Sequence, residues 1–191
     1  MNPAPRSAHE LLLQQLALYL REAEEILNAW DDYTEYVVDN ESWPLDETSY
    51  GFRQARRDGD TWRSYSRIRL SAKDLTATAV AQLRALPKDS TNSRWAWQIA
   101  SLHTAAGEIS SLQSDWLDFR ATLPGSARPG VEEYDGPLAE RNAEAWHYLN
   151  EWSRHGHAVL DIHSAVQLIR PRPTAPTLAL PSPRSTAGPR R

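Results

Sequence analysis

The sequence predicts an all-α protein, an elongated up-down helical bundle of three or four long helices. Apolar residues recur at alternating intervals of three and four in four long segments, which is the period of a helix packed along one side. Proline or glycine residues separate these segments. The 191 residues are 40% hydrophobic and 24% charged, which is typical of a globular domain with one core.

The first helix is expected over residues 7–39, after a flexible N-terminus of residues 1–6. Ser7 and Glu10 have the spacing of a capping box, in which each side chain accepts a free backbone N–H at the start of the helix. At about 1.5 Å per residue this helix is about 50 Å long, which suits a coiled-coil-like bundle. One apolar or small residue per turn forms its stripe: Leu12, Leu16, Tyr19, Ala23, Ile26, Trp30, Tyr33 and Val37.

Two structures compete for the next segment. Residues 40–60 are expected to form a structured basic-aromatic excursion that packs back on the bundle. Asp58-Gly59 has the form of a tight hairpin turn, in which case Ser71 and Asp74 would cap a shorter helix. Alternatively, Asp60 caps a helix over 61–86. We favour the helix because its spacing covers more residues, namely Tyr65, Ile68, Ala72, Leu75, Ala79, Leu83 and Leu86.

Two further helices are expected over 93–123 and 137–169. Pro124 ends the first of them, and Pro137 is well placed in the first turn of the second. Gly156 lies on the apolar stripe of the last helix, where it costs about 1 kcal/mol of helix propensity. We therefore expect a close helix crossing at this glycine, opposite a tryptophan.

Residues 170–191 are expected to form a disordered tail, because they contain six Pro and five Arg but no acidic residue. The formal charge is −4 for the whole chain and +5 for this tail, which leaves −9 on residues 1–169. That negative body would repel a nucleic acid duplex except at a locally basic face.

The composition excludes several classes of site. The chain has no Cys, so it has no disulfide and no thiolate ligand or nucleophile. It has no run of about 18 apolar residues, which predicts no membrane span and a cytoplasmic protein. We find no Gly-rich phosphate loop and expect no cofactor. The excess of Arg over Lys, 19 to 2, is typical of GC-rich bacterial genomes.

The segment after the first helix combines arginines with aromatic residues, which predicts a partner-binding surface for another protein or a second copy of the chain. The same chemistry suits nucleic acid, through Arg53–Arg69 and the basic tail. Alternatively, the acidic end of the first helix and its loop neutralise the arginines: Asp31, Asp32, Glu35, Asp39, Glu41, Asp46 and Glu47. The predicted partner-binding residues are Tyr50, Phe52, Arg53, Arg56, Arg57, Trp62 and Tyr65.

The best enzymatic candidates are Arg141, Asn142 and His147 in the last helix. Their spacing resembles the Arg, polar residue, short spacer and His motif of HEPN-type ribonucleases, which are all-helical bundles. The resemblance implies that paired protomers would join Arg141 and His147 at an RNA phosphate, with the His moving a proton and the Arg stabilising charge. Six residues correspond to about 240° around a helix, so the two side chains cannot share one face within a monomer. Alternatively, Asn142 is a buried polar residue that sets helix register, on an otherwise solvated helix.

A metal site is not expected, although Glu144 and His147 form a Glu-x-x-His pair and Glu151 and His155 follow on the same face. A di-iron bundle needs two such pairs, and His147 and His155 would lie about 12 Å apart along the axis. The working prediction is a non-catalytic protein-interaction or regulatory module. A metal-independent dimeric ribonuclease and a nucleic-acid-binding regulator are the alternatives.

Overall fold

A computed structural model describes residues 7–39, 41 and 43–169 of the chain. These residues confirm the predicted all-α class. Single 3₁₀ turns, Arg69–Ser71 and Lys88–Ser90, precede the third and fourth helices. The predictions for residues 1–6 and 170–191 lie outside the described residues. The described α-helices are α1 (Ala8–Val37), α2 (Glu47–Tyr65), α3 (Ala72–Ala85), α4 (Trp95–Thr122), α5 (Glu132–His155) and α6 (His157–Ile169).

The start of α1 has the predicted capping box. The Ser7 hydroxyl accepts the backbone N–H of Glu10 at 3.2 Å, and the Glu10 carboxylate accepts the backbone N–H of Ser7 at 2.8 Å. The buried residues of α1 all lie in its first half, and the last of them is Ala23. The second half of α1 therefore extends beyond the central core, with α2 beside it.

The helix α2 corrects both predictions for residues 40–70. It is continuous through Asp58 and Gly59, so the excursion over 40–60 and the hairpin turn are wrong. The predicted helix over 61–86 is also wrong as a single element, because the chain turns between Ser66 and Ser71 before α3 begins. A glycine inside a helix costs only about 1 kcal/mol, which the packing of the buried face of α2 offsets.

The predicted fourth helix is divided in two. The helix α5 begins at Glu132, earlier than expected, and ends before Gly156, after which α6 continues. A Cβ atom on Gly156 would lie 2.7 Å from the Leu20 side chain of α1. The expected close crossing is therefore present, but it is opposite a leucine rather than a tryptophan.

The helices surround an aromatic centre. The rings of Tyr19 and Tyr65 meet edge to face at 5.4 Å, and Tyr65 meets Trp152 in the same way at 5.6 Å. The hydroxyl of Tyr19 donates to the carbonyl of Leu149 at 3.0 Å. Edge-to-face pairs add about 0.5–1.5 kcal/mol each to the burial of the rings, so this cluster fixes α1, α2 and α5 relative to one another.

The remaining helices complete the bundle. The helix α5 packs against both α2 and α4, while α3 packs between α4 and α6. None of the described helices has an apolar stretch long enough to cross a membrane.

Candidate functional site

An open groove of about 570 Å³ lies between the second half of α1 and α2, and we call it the charged groove. The rings of Trp30 and Tyr33 line it from α1, together with the carboxylates of Glu22 and Glu25. Asp60 lines it from α2. Its arginines come from one side of α2, at helical spacing, and from the turn that follows: Arg53, Arg56, Arg57 and Arg63 on the helix and Arg67 in the turn.

Glu22 holds the end of the charged groove nearest the core. The Arg67 guanidinium lies 2.6 Å from its carboxylate, and the Ser64 hydroxyl donates to the same group at 2.7 Å. The hydrogen bond from Ser64 and the bonds and charge of Arg67 lower the pKa of Glu22. Arg67 is therefore already engaged within the chain.

Arg57 forms the floor of the charged groove. It donates through Nε and Nη2 to the buried carboxylate of Asp58, at 2.8 and 2.7 Å. Its guanidinium lies between two rings, 4.4 Å from the centre of Trp30 and 3.7 Å from that of Trp146. Burial raises the pKa of Asp58 in spite of the hydrogen bonds and charge of Arg57. This pair joins α2 to α1 and α5 and has a structural role.

The other end of the charged groove has an excess of positive charge. Arg56 and Arg63 share Asp60, at 3.6 and 2.8 Å. Arg53 lies over the Tyr33 ring at 5.1 Å and forms no ion pair with a carboxylate among the described residues. Arg53 thus has no carboxylate partner while Arg56 and Arg63 share one, so these three guanidinium groups and Asp60 together carry a formal charge of +2.

A second open groove, of about 610 Å³, adjoins this positive end, and we call it the apolar groove. Val37, Leu45 and Phe52 line it, and Tyr33 and Arg53 belong to both grooves. The side chains of Leu45 and Phe52 are 70% and 72% exposed. Large apolar groups at this exposure mark interaction surfaces when they cluster.

The last turn of α1 and the segment that follows it carry two more exposed aromatic side chains, those of Tyr36 and Trp43. Val38 and Pro44 form an antiparallel bridge, and the carboxylate of Asp39 accepts the backbone N–H of Trp43 at 2.9 Å. These two contacts join the end of α1 to the residues just before α2.

The structure separates the seven predicted partner-binding residues into two groups. Tyr50 is half-buried against Trp30 at 5.1 Å, and Phe52, Arg53 and Arg56 are exposed beside it. Arg57 is internal, as described above. Trp62 and Tyr65 are buried in the core, so their assignment to an exposed binding surface is wrong. They lie at the end of α2 that packs in the core, where Tyr65 meets Tyr19 and Trp152, whereas Phe52 lies in the part of α2 that lines the apolar groove.

Sequence reasoning missed the contribution of α1. Trp30, Tyr33 and Val37 continue the apolar stripe of α1 and were assigned to its core-facing side, yet they line the grooves. The sequence offers no signal for this difference, because the stripe keeps the same period on both sides of Ala23, the last buried residue of α1.

The proposed neutralisation of the arginines by the acidic loop is not what the described residues show. Their ion pairs use Glu22, Asp58 and Asp60 instead. The acidic groups Asp31, Asp32 and Glu35 are exposed on α1. Helical i,i+3 and i,i+4 spacing within α2 explains the pairs of Arg56 and Arg63 with Asp60, whereas Glu22 reaches Arg67 from α1.

Arg141, Asn142 and His147 do not form one cluster in the monomer. Arg141 is 9% exposed, and its guanidinium lies 3.7 Å from the ring centre of Trp62. It donates to the Gln113 side chain at 2.8 Å and also to that of Asn142. Burial and the charge of Arg69 lower the pKa of Arg141 to about 10. His147 is exposed on another side of α5.

Asn142 is buried where α5 meets α2. Its Nδ2 atom lies 3.5 Å from the position of a Cβ on Gly59. This position agrees with the alternative in which Asn142 sets the register of two packed helices.

The Glu-x-x-His pair is not part of a metal cluster in the described segments. Glu151 accepts the Ser101 hydroxyl, and its carboxylate lies 3.8 Å from His155. Among residues 7–39, 41 and 43–169, no three side chains of the metal-binding types are placed to share an ion.

Comparison of the chain with protein-family models, with curated protein sequences and with solved structures found no match.

Proposed function

We propose that this protein is a non-catalytic interaction module that binds another protein at the free end of the α1–α2 hairpin. The observation that supports this proposal is the apolar groove, with Leu45 and Phe52 exposed beside Arg53. Aromatic residues and arginines are the residue types that contribute most to binding in protein interfaces.

The energetics favour a bound partner at this surface. Covering exposed apolar area stabilises a complex by about 25 cal/mol for each Å² removed from water. Leu45 and Phe52 line the same groove and are 70% and 72% exposed, and exposed apolar side chains that cluster mark interaction surfaces. Tyr36 and Trp43, 77% and 66% exposed, lie at the end of α1 and in the segment after it.

The hairpin is also organised before binding. The Val38–Pro44 bridge and the bond from Trp43 to Asp39 join the end of α1 to the residues before α2, and the Trp30 and Tyr50 rings brace the two helices at 5.1 Å. A rigid surface loses less conformational entropy on association than a loop that must order first. The site is therefore suited to binding rather than to a chemical step.

Site-specific photocrosslinking tests the proposal. A benzoylphenylalanine in place of Phe52 keeps an aromatic ring in the apolar groove, and irradiation is carried out in the native cells. The matched control carries the same group in place of Trp97, an exposed aromatic residue on α4. We expect a discrete protein adduct from position 52 that is absent from position 97 and is lost with Leu45→Ser. Equal adducts at both positions, or none at position 52, would contradict the proposal.

A further inference from the structure

We infer that the partner presents a short acidic segment with one large apolar side chain, whose carboxylates bind Arg53 and Arg56 while the apolar group enters the apolar groove. This inference rests on the proposed function and specifies the chemistry of its partner. The juxtaposition that carries it is the sharing of Tyr33 and Arg53 by a charged and an apolar groove.

The positive end of the charged groove selects for anions. Arg56 is 68% exposed in its side chain and lies 3.6 Å from Asp60, which is longer than a hydrogen-bonded ion pair. Arg63 holds Asp60 more closely, at 2.8 Å. Arg53 has a ring contact but no carboxylate partner among the described residues. These two guanidinium groups can therefore donate hydrogen bonds to the carboxylates of a ligand without first breaking a short ion pair.

The arrangement of Arg53 makes it the link between the two grooves. Its guanidinium carbon lies 5.1 Å from the ring centre of Tyr33, and cation–π contact restrains the side chain at about this position. A ligand group bound to Arg53 is thus adjacent to Phe52 and Val37 in the apolar groove. A single segment with an acidic and an apolar residue close together can therefore bind Arg53 and fill the apolar groove at the same time.

The surrounding charges favour a discrete acidic segment over a nucleic acid. Glu22 and Glu25 line the far end of the charged groove, and Asp46 lines the apolar groove while it caps α2. The exposed acids of α1 lie on the same projecting half-helix as Tyr33. A phosphate backbone carries a charge at every nucleotide and would meet these carboxylates, whereas a peptide can confine its charge to the positive end.

Selection from a random peptide library displayed on phage tests the inference without assuming a sequence. The wild-type protein is used as bait, alongside Arg53→Gln/Arg56→Gln, Phe52→Ser and the control Arg154→Gln, an exposed arginine at the end of α5. We expect wild type and the control to enrich peptides with Asp or Glu near an aliphatic or aromatic residue. Replacing both arginines should weaken an enriched peptide about tenfold or more in anisotropy titrations, as loss of charge-assisted bonds predicts.

The outcomes separate this inference from the proposed function. If the enriched peptides are neutral and apolar, and their binding needs Phe52 but not the two arginines, the inference of an acidic partner is wrong. The proposed interaction function would still hold in that case. Peptide binding that is unchanged by Phe52→Ser would overturn both. A single-stranded RNA of mixed sequence that binds more tightly than every enriched peptide, and loses affinity in Arg53→Gln/Arg56→Gln, would replace the acidic segment by a nucleic acid.

Discussion

The guanidinium group of Arg57 lies against the ring of Trp146, with 3.7 Å between the Arg57 Cζ atom and the ring centre. Trp30 covers the same guanidinium at 4.4 Å, and Asp58 accepts two of its hydrogen bonds. Because these residues come from α1, α2 and α5, the floor of the charged groove is also a joint between three helices. Stability and binding should therefore be separable by replacing the enclosed Arg57 or the exposed Arg53 of the same side of α2.

Replacing Arg57 should damage the fold more than replacing Arg53. Arg57→Leu leaves the Asp58 carboxylate buried without its partner, which costs about 3–5 kcal/mol of unfolding free energy. Arg53→Leu changes an exposed side chain and should alter stability by less than about 0.5 kcal/mol. Urea denaturation followed by circular dichroism measures both. Arg57→Leu/Asp58→Asn should recover part of the loss, and equal effects of the two single changes would refute the structural role.

Gly59→Ala should stabilise the protein by about 0.5–1 kcal/mol. Gly59 lies inside α2, where alanine has the better helix propensity, and the added Cβ meets Asn142 at an ordinary contact distance of 3.5 Å. Gly51→Ala, in the same helix with open space around it, is the matched control and should behave alike. If Asp58-Gly59 formed a hairpin turn instead, Gly59 would adopt a positive φ, and Gly59→Ala would destabilise the protein. A fall in melting temperature would thus count against α2.

Gly156→Ala should destabilise the protein by about 1–3 kcal/mol. The new Cβ would lie 2.6 Å from the carbonyl oxygen of Trp152 and 2.7 Å from the Leu20 side chain, so packed groups must shift. In Gly156→Ala/Leu20→Ala, the smaller residue on α1 removes one of these clashes. We expect the double variant to lose less stability than the sum of the two single variants, and additive losses would exclude a clash at this crossing.

The contribution of Glu22 should depend on pH. Its folded-state pKa is lowered by the Ser64 hydrogen bond and by Arg67, so the ionised form is stabilised by folding. This contribution is present above the unfolded pKa, near 4.5, and is lost as pH falls through the lower folded value. At neutral pH, Glu22→Gln should lower the unfolding free energy by about 0.2–1 kcal/mol, as for a part-exposed pair.

Urea titrations of the Glu22→Gln variant at several pH values check this dependence. The difference from wild type should shrink as the pH falls below about 4.5. Glu25→Gln makes the same charge change in the same groove, without an ion pair in the described part of the chain. If the difference in unfolding free energy between wild type and Glu22→Gln grows as the pH falls, ionised Glu22 does not stabilise the fold.

RNA should remain uncut by the purified protein. Arg141 is enclosed by Trp62 and hydrogen-bonded to Gln113, while His147 is exposed, so a monomer offers no joint site for an RNA phosphate. We expect His147→Ala to keep both stability and peptide binding. Cleavage of a labelled RNA by the wild type that is lost in a folded His147→Ala variant would establish the ribonuclease alternative in place of an interaction module.

The local pattern was sufficient for features that depend on neighbours in sequence. The capping box of Ser7 and Glu10 forms as spaced, because both groups lie within one turn. The stripe of Leu75 and Ala79 is buried as its period indicates, since helical periodicity selects one face whatever the partner helix is. The tight crossing at Gly156 was likewise visible, although the residue opposite it was not.

The binding surface required tertiary information. Phe52 and Trp62 are both aromatic and lie on one helix, yet the first is exposed and the second is buried against Arg141. The difference depends on where α5 packs along α2, which no short-range pattern encodes. The same holds for Trp30 and Tyr33, whose stripe reads as core but extends past the helices that would cover it.

Sequence alone therefore determined the all-α class and the start of α1, because helix period and capping act over a few residues. Tertiary structure decided that α2 runs through Gly59, that α3 and α6 are separate helices, and which aromatic rings remain uncovered. The physical reason is that burial of a given side chain depends on which distant helix lies over it, and weak local preferences yield to that packing.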